Sequence, residues 1–131
     1  MKYDEFIKHI QSFAQLDSRE EAEKATQVTL ETLKERIVGD EASQLAAQLP
    51  EALAKHLRGR EGQPGDHFKI EEFYQRICDR GSVEPETAAS YSRAVFAVLK
   101  LAVSPGEFAD VKINLSEDYN ELFTTSASTQ K

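Results

Sequence analysis

The chain has 131 residues, 40% of them apolar, with a formal charge of −7 and a pI near 5.0. That length suits one domain with a modest core and excludes two independent ones. Lys and Arg are interspersed with Glu and Asp, and the one basic run, Lys55, His56, Arg58 and Arg60, is short; nucleic acid and anionic membranes, which need concentrated cationic charge, are therefore not expected as partners.

A lone Cys78 cannot close an intramolecular disulfide, and MKYDEFIKHI at the start lacks the apolar core of a signal peptide. No apolar run approaches the roughly 20 residues of a membrane span. The expectation is a soluble protein of the reducing cytoplasm.

The first predicted helix runs from about Tyr3 to Ala14, with Tyr3, Phe6, Ile7, Ile10 and Phe13 as its apolar stripe. Ser18 and Glu21 have the spacing of a capping box and open a second helix that reaches about Ile37. Its inward positions are Ala22, Ala25, Thr29, Leu33 and Ile37, with Leu30 beside them. Gly39 is then expected to supply a left-handed C-cap and Asp40 to N-cap a third helix carrying Ala42, Ala46 and Ala47. Pro50 ends that helix and starts a fourth, to Leu57 or Arg58.

Arg58 to His67, RGREGQPGDH, holds three of the six glycines and reads as an exposed connection. A helix over KIEEFYQRI follows. A sixth begins near Pro85 and turns Ala88, Tyr91, Val95, Leu99 and Val103 inward, with Phe96 and Val98 alongside. Ser104, Pro105 and Glu107 supply an N-cap, a first-turn proline and a capping-box carboxylate for a seventh, to about Ile113. An eighth spans Ser116 to Phe123, no strand pattern occurs, and TTSASTQK lacks both periodicity and bulk.

These elements repeat. A shift of 66 pairs Ile37 with Val103, Glu41 with Glu107, Leu45 with Val111, Leu49 with Leu115, Leu53 with Tyr119 and Leu57 with Phe123, and one of the pairs is charged. The rest are apolar on both sides at the spacing of an inward helical face. KYDEFIKHI meets KIEEFYQRI at a shift of 67, so an indel falls in the loop after the first helix of a half. The predicted architecture is an all-α single-domain bundle of about eight helices over 1–123, built from two similar four-helix halves, 1–58 and 68–123, with a linker over 59–67 and a disordered tail at 124–131.

Glu41 to Pro50, EASQLAAQLP, with Gly106 to Leu115, GEFADVKINL, and the aromatic openings Phe6 and Phe73 resemble the bacterial proteins of domain-of-unknown-function family 2267. The resemblance covers nearly all of the chain except the tail. It implies an all-helical single domain with no established activity and carries over no functional residue. Where the family's second half tends to read Q-L-P, this chain has Asn114, Leu115 and Ser116, and Ser is itself a good cap.

No catalytic signature stands out. Glu5 and His9, four apart on a helix, could share a metal, but a solvated pair is the simpler reading. His56 and His67 supply no second Glu-x-x-His, and H-E-x-x-H, nucleophile-elbow, phosphate-loop and dinucleotide motifs are missing. Cys78 lies between Arg76 and Arg80, yet its match in the first half is Gln11, next to the inward Ile10, and it reads as a half-buried structural thiol. Gln48 and Asn114, matched by the repeat, are expected to satisfy open backbone groups at helix ends, with a pair of ligand contacts as the alternative. No catalytic residue, metal or cofactor is thus expected. The expected function is a non-catalytic binding or regulatory module, whose cleft, walled by Ala46, Ala47, Leu53, Val111, Leu115 and Tyr119, receives an unknown protein partner or a small apolar ligand. A small enzyme with an unrecognised site is the alternative class.

Overall fold

A computed structural model describes residues 1–123; the expected tail at 124–131 lies outside them. Its helices are α1 (Tyr3–Ala14), α2 (Arg19–Arg36), α3 (Gly39–Ala46), α4 (Glu51–Ala54), α5 (Ile70–Gly81), α6 (Pro85–Ala102) and α7 (Pro105–Ile113), closed by a 3-10 helix over Glu117–Leu122. No strand occurs among the described residues. The chain is an all-α bundle, and none of its helices is long and apolar enough to cross a membrane.

The long helices α2 and α6, each of 18 residues, pack against one another at the centre. The 12-residue α1 and α5 each lie against both of them, and α3 packs on α7. All the positions expected inward on α2 and α6 are buried, as are Phe6, Ile7 and Ile10 of α1. Phe73 of α5 stands edge-on to Phe96 and Tyr119, with ring centroids 6.3 and 5.5 Å apart, an arrangement aromatic quadrupoles favour. Beyond the expected core, α2 buries Thr26, Thr32 and Arg36. Thr26 and Thr32 hand their hydroxyl protons to the carbonyls of Ala22 and Val28, so polar groups fit an apolar face by bonding back along their own helix.

Ser18 and Ser104 do accept from the backbone N–H of Glu21 and Glu107, both at 3.1 Å. The carboxylates do not complete the boxes. Glu21 receives the hydroxyl of Tyr91 at 2.8 Å instead, and the N–H of Ser104 is taken by Gln48 Oε1 at 2.8 Å, which frees Glu107 to turn inward. Lys2 begins α1 with its N–H on Glu5 at 2.9 Å.

Several local expectations fail for tertiary reasons. Phe13 is 53% exposed, because it lies beyond the last turn of α1 that the core covers. The left-handed C-caps are Gln15 and Ser82, not Gly39. Gly39 is the first residue of α3 and is needed for close approach, since a Cβ there would lie 1.7 Å from the carbonyl oxygen of Arg60. Asp40 sits inside the first turn and accepts the N–H of Gly62 at 2.8 Å rather than capping α3. Ala47 is exposed, while α4 stops at Ala54 and continues as turns to Leu57.

The connection 59–67 is anchored, not free. Gln63 and Glu35 carbonyls receive the N–H groups of Gly39 and Asp66, both at 2.9 Å, and Gly65 is buried so tightly that a Cβ would fall 2.3 Å from Arg36 O. Arg36 pins this end of the molecule. Its guanidinium donates to the carbonyls of Phe68 and Asn114 and to Ser116 Oγ, at 2.8, 3.1 and 3.1 Å, and stacks 5.1 Å from the Tyr119 ring centre.

Candidate functional site

The expected cleft is filled. Leu53, Val111 and Tyr119 are at most 1% exposed, and Ala46 and Leu115 are buried with them, so these walls are core. The concavity lies on another face, where the C-terminal end of α1 meets α6, α7 and the 3-10 helix. It encloses about 530 Å³ between Phe13, Phe96, Ala97, Leu101, Phe108 and Phe123, with Arg93 and Lys100 at its rim. That volume lies within the range of small-molecule sites. The floor is rigid: Phe123 stands edge-on to Phe96 and Phe108 at 5.4 and 5.7 Å, and Lys112 covers its ring at 5.0 Å. Phe13 and Leu101 are 53% and 59% exposed. Arg93 and Lys100 have no ion-pair partner among the described residues. An apolar hollow with two free cations suits a ligand that is apolar at one end and anionic at the other.

A second constellation lies where α3 packs on α7. Gln48, just after α3, accepts the N–H of Ser104, which precedes α7; Asn114, at the end of α7, accepts the N–H of Val38, which precedes α3, at 3.2 Å. The amides thus serve backbone groups, and they do so reciprocally. Glu41 and Glu107 meet within this frame, and Glu107 is only 7% exposed. Burial first, then a carboxyl–carboxyl contact with Glu41 that favours a shared proton, and after it the like charges of Glu41 and Asp110, push the Glu107 carboxyl up to about 8.

The other residues named from sequence have ordinary partners. His9 is exposed, and Glu5 Oε1 accepts the N–H of Lys2 at 2.9 Å. Cys78 is buried, and its thiol is pushed up by desolvation and then by Asp79 and Glu84; Arg76 and Arg80 do not activate it, being bonded to Glu35 and Glu72. His56 is held below its usual range mainly by burial, against the pull of Glu31 3.8 Å away. Arg58 and Arg60 pair with Glu51 and Asp66, which neutralises the basic run.

The groove escaped sequence reading because it joins Phe13 of α1 to the distant run of α6, α7 and the 3-10 helix. The acidic pair left a signal: it is the one charged match in an otherwise apolar repeat register.

Fold and sites together define an all-helical bundle with a central helix pair, an apolar groove and a buried acidic seam. The chain belongs to the family described as an uncharacterized conserved protein, DUF2267, whose family model matches residues 3–122. No curated protein matches it.

Proposed function

We propose that the protein is a non-catalytic binding module of the cytoplasm that holds a small apolar molecule bearing a carboxylate or similar anion in the groove between α1, α6, α7 and the 3-10 helix. The observation that carries this is the pairing of an apolar hollow of about 530 Å³ with Arg93 and Lys100, which form no ion pair among the described residues, on a protein of net charge −7. Free cations beside exposed aromatic and aliphatic groups favour an amphiphilic anion over nucleic acid, whose phosphates an acidic surface repels. The one cysteine suits a reducing compartment. A single domain over 1–123 made of two similar halves, and the bacterial origin implied by the resemblance, belong to the same reading.

The test uses 8-anilinonaphthalene-1-sulfonate, which is apolar and anionic. It should bind the folded protein saturably and be displaced by decanoate. Ala97→Trp, which fills the hollow, should abolish binding with the circular dichroism unchanged, and Arg93→Ala with Lys100→Ala should weaken it. Non-saturable binding, or binding indifferent to Ala97→Trp, contradicts the reading. A chain ending at Phe123 should bind the probe no more tightly than the whole; a marked gain would make residues 124–131 the occupant.

A further inference from the structure

Glu41 of α3 and Glu107 of α7 are matched by the 66-residue shift, and α7 brings Asp110 to the same place. One carboxylate oxygen from each of the three lies within 4.8 Å of the others. Acidic clusters on surfaces are common and need no ligand. This one differs in that Glu107 is 93% shielded from solvent by its 7% exposure, and that Oε2 of Glu107 and Oε2 of Glu41 are buried with no hydrogen-bond donor. Such atoms are costly to leave unpaired. No Lys, Arg or His forms an ion pair with any of the three among the described residues.

We propose that Glu41, Glu107 and Asp110 bind one oxygen-preferring divalent cation of the Mg²⁺, Mn²⁺ or Ca²⁺ class, bridging α3 to α7. The donor set is all carboxylate, which suits hard cations and offers no nitrogen or sulfur to zinc or copper. Asp110 is exposed, so the site opens to solvent on one side and water can complete the coordination. The frame is stiff: the reciprocal bonds of Gln48 and Asn114 hold the two helix ends on either side of the carboxylates. A cation there supplies the positive charge that no side chain supplies, and it ties the first half of the chain to the second. The histidine spacing that argued against metal does not bear on a site built from carboxylates of two separate helices.

The test is calorimetric and thermal titration of EDTA-stripped, full-length protein with MgCl₂, MnCl₂ and CaCl₂ in turn at pH 7.5. At least one cation should bind at one per chain and raise Tm in a concentration-dependent way, as any ligand of the native state does. Asp110→Asn, whose side chain is exposed and spares the fold, should weaken binding on the order of tenfold or more, and Glu41→Gln should abolish it. Glu71→Gln, a remote surface change, should leave it intact, which separates the site from diffuse attraction to an acidic protein. The proposal is overturned if none of the three cations binds at millimolar concentration, or if binding survives in the Glu41→Gln, Glu107→Gln double variant. It is equally overturned if wild type ignores all three while Glu107→Gln melts higher, for the pair is then held by a shared proton.

Discussion

The contact of α2 with α5 and the contact of α6 with α1 are counterparts under the sequence shift of 66 to 67, and they have opposite surfaces. On the first, Glu35 accepts from Arg76 at 2.9 Å and from Arg80, while Arg80 also donates to Thr32 Oγ1 at 2.7 Å and Arg76 lies 3.9 Å over the Phe68 ring. The bonds from Arg80 and Arg76 hold the Glu35 carboxyl below its usual range even though desolvation, the largest influence, pushes it up. Shifts of 66 and 67 carry Glu35 to Leu101, Arg80 to Phe13 and Arg76 to His9. On the second contact, then, the network is replaced by exposed apolar groups, and the groove opens there. The anchored connection 59–67 runs over the first contact through Asp66. One of these helix contacts is a closed charged seam and the other an open apolar hollow.

The sequence correspondence is tested by the largest expected effect. Leu33 and Leu99 are fully or nearly fully buried at matched positions on α2 and α6, so truncating either to Ala should cost roughly 2–5 kcal/mol in chemical denaturation. A cost below about 1 kcal/mol for both would break the equivalence.

The place where the halves meet gives a pH signature. The Glu107 carboxyl, ordinarily near 4.5, stands at about 8 in the fold. Between those values the folded state holds a proton that the unfolded state has released, so stability is greatest at the acid end and falls as pH rises through the window. Cation-free protein should lose roughly 3 kcal/mol between pH 5 and 8 from this group, within the limiting slope of about 1.4 kcal/mol per unit. Glu107→Gln should flatten the curve; an unchanged slope would remove Glu107 as its cause.

Exchange across the two contacts should be asymmetric. Glu35→Leu removes one of the acceptors of each of Arg76 and Arg80 and should cost about 1–3 kcal/mol. Leu101→Glu, on a mostly exposed side chain, should cost under about 0.5 kcal/mol. Equal costs would mean that the seam and the groove do not differ as described. At the smallest scale, Gln15 and Ser82 both hold φ near 55°, at 55° and 54°. Replacing either by Gly should stabilise by about 0.5–1 kcal/mol, and by similar amounts; a gain at one alone would separate the two helix ends.

Helix order and boundaries were legible because apolar spacing and the caps at Ser18 and Ser104 are local signals. What was not legible depends on partners distant in sequence. Glu107 reads as a capping carboxylate until Gln48, 56 positions earlier, takes the N–H it was to serve. Gly39 reads as a C-cap until the Arg60 carbonyl is found against it. Arg36 carries no local mark of burial, yet it is buried because acceptors at Phe68, Asn114 and Ser116 converge on it. The groove gave no signal at all, since Phe13 looks the same in sequence whether its ring is covered or open.

The most direct test of the contrast between the two contacts is a titration of ¹⁵N-labelled protein with decanoate, followed by amide chemical shifts. Perturbations should gather at Phe13, Arg93, Ala97, Leu101 and Phe123, leaving Glu35, Arg76 and Arg80 unmoved. Shifts centred on the α2 and α5 contact, or no saturable shifts at any residue, would contradict the account.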